Sequence, residues 1–117
     1  MIKSYKDLIV WQSSVNLVES IYRITKKFPS SEKFGLISQM QRASVSVPSN
    51  IAEGYGRQST GSYIQFLSIA RGSLFELETQ IELCIRINYI EKQESVKLFE
   101  QITEISKMLT SLISKIK

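Results

Sequence analysis

The residues that could carry chemistry in this chain are few, and histidine is absent. Without histidine, no side chain exchanges protons near neutral pH at its ordinary pKa, which argues against histidine-based triads and acid–base pairs. A di-metal centre in a helical bundle is also disfavoured, because such centres use Glu-x-x-His pairs from two helices. The sequence therefore predicts no catalytic residue, no metal site, no cofactor and no enzymatic activity.

Carboxylates, a thiol and glycines are the other candidates for a reactive site. Glu100 and Glu104 lie one turn apart on a predicted helix with lysines close by, which indicates ordinary surface ion pairs. Cys84 falls within an apolar helical repeat, which favours a small buried side chain over a nucleophile. The glycines of residues 54–61 match neither the dinucleotide fingerprint nor the phosphate loop. They predict a turn, with Gly54 ending a helix in the left-handed conformation.

Basic residues supply the remaining binding chemistry. The net charge is +4; residues 1–57 hold eight basic and four acidic side chains, whereas residues 58–117 hold seven of each. The whole positive excess therefore lies in the first half of the chain. Such a bias favours nucleic acid or another polyanion as a ligand, and a solvated, slightly basic surface is the alternative interpretation.

The elements that must position these residues belong to one predicted domain, residues 1–117. The chain is 43% apolar and 22% charged, an ordinary globular composition, and no run of about 18 apolar residues could span a bilayer. A single cysteine cannot form an internal disulfide, and the first residues do not resemble a secretory signal. We expect a cytoplasmic protein that does not contact a membrane.

Apolar residues spaced by three and four predict four helices. These begin near Asp7, Ser31, Gly61 and Glu91, and the first ends at the Phe28-Pro29 step. Short connections imply an all-α, antiparallel up-down-up-down four-helix bundle, with a kink in the second helix at Pro48. The expected N-terminal caps are Asp7, Ser31 and either Ser59 or Thr60.

The predicted core faces follow from the same spacing. The second helix is expected to bury Leu36, Met40, Ala43, Val47 and Ile51. The third is expected to bury Tyr63, Leu67, Ala70, Leu74, Leu77, Ile81 and Cys84. The fourth is expected to bury Leu98, Ile102, Ile105, Leu109, Leu112 and Ile116.

The first helix carries two apolar stripes, which is more than a bundle core requires. The stripe assigned to the core contains Leu8, Trp11, Val15, Val18 and Tyr22. The second, which projects roughly 100° away, is the candidate oligomer interface and contains Val10, Leu17, Ile21, Ile24 and Phe28. Apolar residues off the core seam of the third helix leave further surface to cover: Ile69, Phe75, Leu83 and Ile87. Spare apolar surface of this kind predicts a homo-oligomer.

Four segments of the chain carry a family resemblance: DLIVWQ, TKKFP, EKFGLISQMQRASVSVPSNIAEGYGR and FLSIARGSLFELETQI. Together they resemble the four-helix-bundle family of 23S rRNA intervening-sequence proteins over nearly the whole chain. The resemblance implies a cytoplasmic bacterial protein for which no enzymatic activity is expected. Similarity to related accessory proteins of diversity-generating retroelements implies a ring-like homopentamer that binds nucleic acid.

Two classes of function follow from these observations. The first is an accessory protein that contacts RNA or a ribonucleoprotein by attraction to phosphates. Its candidate binding residues are Lys3, Lys6, Arg23, Lys26, Lys27, Arg42, Arg57 and Arg71. The second is a structural oligomer or protein-interaction scaffold, in which the spare apolar stripes carry the function and the cations only solubilise the protein.

Overall fold

The computed structural model describes all 117 residues, which form four α-helices and no strand. The helices are α1 (Ile9–Thr25), α2 (Leu36–Tyr55), α3 (Thr60–Arg86) and α4 (Lys92–Ile116). Each α-helix packs on two neighbours, in the order α1, α2, α3, α4 and back to α1. The predicted all-α four-helix fold is confirmed, while the alternating helix directions and the kink at Pro48 stay predictions. No helix has the length and apolar character needed to cross a membrane.

The core runs between the four helices and contains most of the residues predicted to face inward. From α2 and α3 it takes Met40, Ala43, Val47, Ile51, Leu67, Ala70, Leu74, Leu77, Ile81 and Cys84, with Leu36 and Tyr63 packed at its edge. From α4 it takes Leu98, Ile102, Ile105, Leu109 and also Ile113, while the predicted Leu112 and Ile116 are partly buried and pack at its edge. A straight helix drifts by about 20° per heptad from a strict seven-residue repeat, and this drift moves Ile113 onto the buried side.

The stripe of α1 that was predicted to form the oligomer interface lies in the core of the protomer instead. Leu17 is 0% exposed, and the rest of its stripe is also buried or packed against the core: Val10, Ile21, Ile24 and Phe28. The stripe assigned to the core remains partly accessible, with Tyr22 41% exposed. The candidate interface residues therefore fill the interior of one protomer and present no continuous contact surface to another.

Two buried hydroxyl groups explain why the core face of α1 is hard to recognise. Ser14 and Thr25 lie on the same side as Leu17, and each hydroxyl donates to the carbonyl four residues earlier, at 2.7 Å and 2.8 Å. These hydrogen bonds satisfy the polar atoms, so both residues are buried at little cost. The core face is thus less apolar in composition than its position would suggest.

The starts of α1 and α2 differ from the predictions. The carboxylate of Asp7 accepts hydrogen bonds from the backbone N–H groups three and four residues earlier, which closes a short 3-10 turn before α1. Ser31 lies in a second 3-10 turn, and α2 begins only at Leu36, whose N–H donates to Glu32 Oε1 at 3.2 Å. Acidic side chains at these turns satisfy the N–H groups that an isolated helix start would leave unpaired.

The two ends of α3 agree with the sequence pattern. Ser59 caps the helix, because its Oγ accepts from the N–H of Ser62 at 3.1 Å. Asn88 follows the last turn in the left-handed conformation, with a φ of 67°. Its N–H donates to the carbonyl of Ile85 at 3.1 Å, an arrangement that ends a helix and that asparagine tolerates better than most residues.

Helices α2 and α3 approach closely around Gly54. This glycine lies inside α2, and no glycine of the chain has a positive φ, so the predicted left-handed helix end is wrong. A Cβ at this position would lie 2.9 Å from Phe66 Cβ and 3.0 Å from Tyr63 Cδ1. The position therefore needs glycine because the neighbouring helix leaves no room for a side chain.

Pro48 lies within α2, close to a polar contact with α3. Proline has no N–H group, so the carbonyl of Ser44 loses the donor that a regular helix would supply. Two residues earlier, Ser46 Oγ lies 2.8 Å from Ser73 Oγ and shares a hydrogen bond with it. Gly72 beside it faces open space, so Ser73 makes the contact with α2 and Gly72 does not.

Candidate nucleic-acid interface

The eight predicted nucleic-acid-binding residues do not form one surface. Lys3 and Lys6 precede α1, whereas Arg23 and Lys26 lie at its other end, so most of a 17-residue helix of roughly 25 Å separates them. Lys27 follows Lys26 after α1, and the other three cations, Arg42, Arg57 and Arg71, are distributed over α2, α3 and the connection between them. A single phosphate-binding patch can therefore include only part of the predicted set.

Two of the predicted arginines already have partners within the chain. Arg57 Nη2 lies 2.9 Å from Glu53 Oε2, and its guanidinium stacks 4.7 Å from the ring centre of Phe66. Arg71 Nη1 donates to Thr110 Oγ1 at 3.3 Å, a contact that joins α3 to α4. These contacts favour structural roles for both arginines over free phosphate binding.

A cluster of cations lies at a groove between α1 and α4. The residues lining this α1–α4 groove are Ser20, Arg23, Ile24, Lys27, Gln93, Glu94, Lys97, Leu98 and Gln101. Lys26 is exposed in the turn directly after α1. The structure thus adds Lys97, from the second half of the chain, to three cations that the sequence identifies.

Glu94 is the one acidic residue that lines the α1–α4 groove, and its charge is balanced locally. Its Oε1 accepts from the backbone N–H of Glu91 at 3.1 Å, and its Oε2 accepts from Lys27 Nζ at 3.0 Å. Both hydrogen bonds lower the pKa of the Glu94 carboxyl below its ordinary value, and the one from the backbone has the larger effect. Arg23, Lys26 and Lys97 have no ion-pair partner, so the groove keeps a positive surface.

Gln101, which lines the α1–α4 groove, carries an unpaired carbonyl oxygen. Its Oε1 is buried and has no hydrogen-bond partner within the chain. An unpaired buried carbonyl is typically destabilising by about 1–3 kcal/mol.

A second polar surface lies on the C-terminal half of α4. This hydroxyl surface is lined by Ser106, Lys107, Thr110, Ser111, Ser114 and Lys115 and includes no acidic side chain. Basic and acidic residues are equal in number in the second half of the chain, so a count of charges does not reveal this surface. The acidic residues of that half lie elsewhere on the protein. The helical spacing of its serines and lysines is the signal in the sequence that could have identified it.

No cysteine lines the α1–α4 groove. The one thiol, Cys84, is buried in the core, with its Sγ 3.6 Å from Met40 Sδ. Burial raises the pKa of this thiol to about 11, which keeps it protonated at neutral pH. No group of three or more His, Cys, Asp and Glu side chains is placed to hold a metal ion. The cations that line the α1–α4 groove, Arg23, Lys27 and Lys97, are suited to binding anions.

Comparison with known proteins gives a family and a solved relative. The model of the 23S rRNA-intervening sequence protein family matches residues 6–111. A crystal structure from the S23 ribosomal protein family of Bacteroides thetaiotaomicron, described as a protein with unknown function, superposes with a TM-score of 0.83 at 31% identity. The alignment covers 90% of this chain and 98% of that one. No curated protein matches. The chain belongs to the family of 23S rRNA-intervening sequence proteins.

Proposed function

We propose that this chain is a non-enzymatic, homo-oligomeric protein that binds RNA as an accessory to a ribonucleoprotein. The observation that carries the proposal is the α1–α4 groove, where Arg23 and Lys97 are free of acidic partners and Lys26 is exposed in the adjacent turn. The name of the family refers to 23S rRNA, which makes a structured RNA the first ligand to test.

Oligomerisation is part of the proposal because one protomer offers few free cations. Non-specific binding to nucleic acid at physiological salt has dissociation constants of about 10⁻⁴ to 10⁻⁶ M, and a monomer that binds only a few phosphates would bind weakly. Several copies of the α1–α4 groove on one RNA would raise the effective concentration of each contact and increase affinity by roughly 10² or more. A pentamer is the expected assembly, from the resemblance to accessory proteins of diversity-generating retroelements.

A protein-interaction scaffold is the second candidate function. It is favoured by the large apolar side chains at the surface, among them Phe34 at 88% exposure and Phe75 at 54%. In a scaffold these residues would bind protein partners, and the cations of the α1–α4 groove would serve only solubility. The two candidates differ in one measurable property, which is salt-dependent affinity for RNA.

Two double variants test whether the α1–α4 groove binds RNA. Arg23→Gln with Lys97→Gln removes two groove cations, and Lys107→Gln with Lys115→Gln removes two cations from the hydroxyl surface. Each pair lowers the net charge from +4 to +2, so a difference between them reports location and not total charge. A labelled structured RNA is titrated with each variant by fluorescence anisotropy at two salt concentrations, after circular dichroism has confirmed the fold.

We expect the groove variant to lose affinity for RNA, with a shallower salt dependence. The slope of log K against log salt concentration should fall by about 0.7–0.9 for each phosphate that the variant no longer binds. The matched variant should retain most of its affinity. A loss confined to the Lys107 and Lys115 variant would place binding on the hydroxyl surface, and a wild type without salt-dependent binding would favour the scaffold.

A further inference from the structure

We infer that copies of this chain assemble head to tail, with the groove between α1 and α2 of one protomer packed against the groove between α3 and α4 of the next. The inference rests on the proposed homo-oligomer and specifies the two surfaces that meet in it. Both surfaces are built from apolar residues exposed in a single protomer, and they carry opposite charges.

The α1–α2 groove combines exposed apolar side chains with unpaired cations. It is lined by Tyr22, Lys33, Phe34, Ile37, Ser38, Gln41, Arg42, Val45 and Ser46. Phe34, Tyr22 and Val45 are all exposed, and the lining contains no acidic residue. Neither Lys33 nor Arg42 forms an ion pair within the chain. The groove is therefore an apolar surface that should attract an acidic partner.

The α3–α4 groove has the complementary character. It is lined by Glu78, Thr79, Glu82, Leu83, Arg86 and Phe99. Leu83 is 48% exposed, and two further apolar side chains, Phe75 on α3 and Ile87 directly after it, are exposed as well. Glu82 is paired with Arg86 at 3.3 Å, but Glu78 has no ion-pair partner. Glu76, which is exposed on the neighbouring turn of α3, also has no ion-pair partner.

The order of helices in the bundle places these two grooves on opposite sides of the protomer. Helices α1 and α2 form one groove, α3 and α4 form the other, and each helix packs only on its two neighbours in the ring. A contact between two different faces is heterologous, so every protomer keeps one free face of each kind. Such a contact builds a closed ring if the rotation between protomers closes, and an open filament if it does not.

Charge also argues against either groove packing on its own copy. A two-fold contact through the α1–α2 groove would bring Lys33 and Arg42 of two protomers together, and one through the α3–α4 groove would bring carboxylates together. Like charges facing each other disfavour a complex, whereas opposite charges at the rim support it and fix its register. The acidic residues on the rim of the α3–α4 groove give the cations of the α1–α2 groove a matching partner in a second copy of the chain.

This arrangement is tested with two variants, and each variant has one of the two grooves disabled. Arg42→Glu with Val45→Glu disables the α1–α2 groove, and Leu83→Glu with Ile87→Glu disables the α3–α4 groove. All four side chains are exposed in one protomer, so the fold should survive, and circular dichroism checks that it does. Because both disabled faces become acidic, they cannot pair with each other. Masses are measured by sedimentation equilibrium for each variant alone and for an equimolar mixture.

We expect each variant alone to be a 13.4 kDa monomer and the mixture to form a dimer of two such chains. The dimer forms because the mixture retains one intact groove of each kind, and it cannot grow further. A variant that remains oligomeric alone would show that its disabled groove is not needed, which would overturn the head-to-tail contact. A mixture that stays monomeric would also overturn the head-to-tail contact.

The wild-type chain and an RNA titration separate failure of this inference from failure of the proposed function. A monomeric wild type would remove the proposed oligomer itself. If the Arg42 and Val45 variant kept the wild-type mass but lost RNA affinity, the α1–α2 groove would be a nucleic-acid surface and the inferred contact would be wrong. We expect the monomeric variants to bind RNA at least about tenfold more weakly than wild type, because avidity is absent in a monomer.

Discussion

Replacing Leu17 with alanine is expected to lower the free energy of unfolding by about 2–5 kcal/mol, because the side chain is fully buried and its removal leaves a cavity. At roughly 4 °C per kcal/mol for a domain of this size, the melting temperature should fall by about 8–20 °C. A charged residue at this position should prevent folding, since an unpaired charge would enter the core. Urea denaturation followed by circular dichroism measures the effect.

Val15→Ala is the matched control on the other apolar stripe of α1. Val15 is only partly buried, so we expect a loss of about 1 kcal/mol or less, in part because alanine is the better helix former. The two variants differ mainly in which stripe they truncate. If Val15→Ala were the more destabilising change, the core face of α1 would be the stripe of Trp11 and Val15.

Gly54→Ala is expected to destabilise the protein although alanine favours helices. The new Cβ would lie 2.9 Å from the Cβ of Phe66, which is attached directly to the backbone of α3, so the helices must move apart. Overpacking of this kind costs about 1–3 kcal/mol, against a gain of up to about 1 kcal/mol in helix propensity. We expect a net loss of up to about 2 kcal/mol, measured by urea denaturation.

Gly72→Ala is the matched control: the same chemical change is expected to raise the stability of the protein. Gly72 lies within α3, is exposed, and has no atom near enough to meet an added Cβ. Removal of a glycine from a helix interior should stabilise the protein by about 0.5–1 kcal/mol. Equal changes in the free energy of unfolding at the two positions would show that helix propensity alone determines the effect. They would also show that α2 and α3 are not in close contact at Gly54.

The number of helices and the core faces of α2 and α3 could be predicted because each of these helices has one regular apolar seam. Helix α1 could not be assigned in the same way. Its two stripes have equally regular spacing, and the one in the core is interrupted by Ser14, whose buried hydroxyl bonds to its own helix. Periodicity reports which residues share a face, and only packing decides which face is covered.

The candidate site could be predicted only as far as it is local in sequence. Arg23, Lys26 and Lys27 are close together because they end one helix. Lys97 joins them through the packing of α4 on α1, which charge counts along the chain cannot reveal. The role of Gly54 could not be predicted for a similar reason, since it depends on Phe66 of the neighbouring helix and not on a turn of its own.

Sedimentation velocity of the wild-type chain with a structured RNA, recorded by RNA absorbance at low and high salt, tests the proposed function most directly. We predict that the RNA sediments at low salt with several 13.4 kDa protomers bound, and that this complex dissociates as salt rises. RNA that sediments alone at low salt, beside a protein of monomer mass, would contradict both the RNA binding and the homo-oligomer.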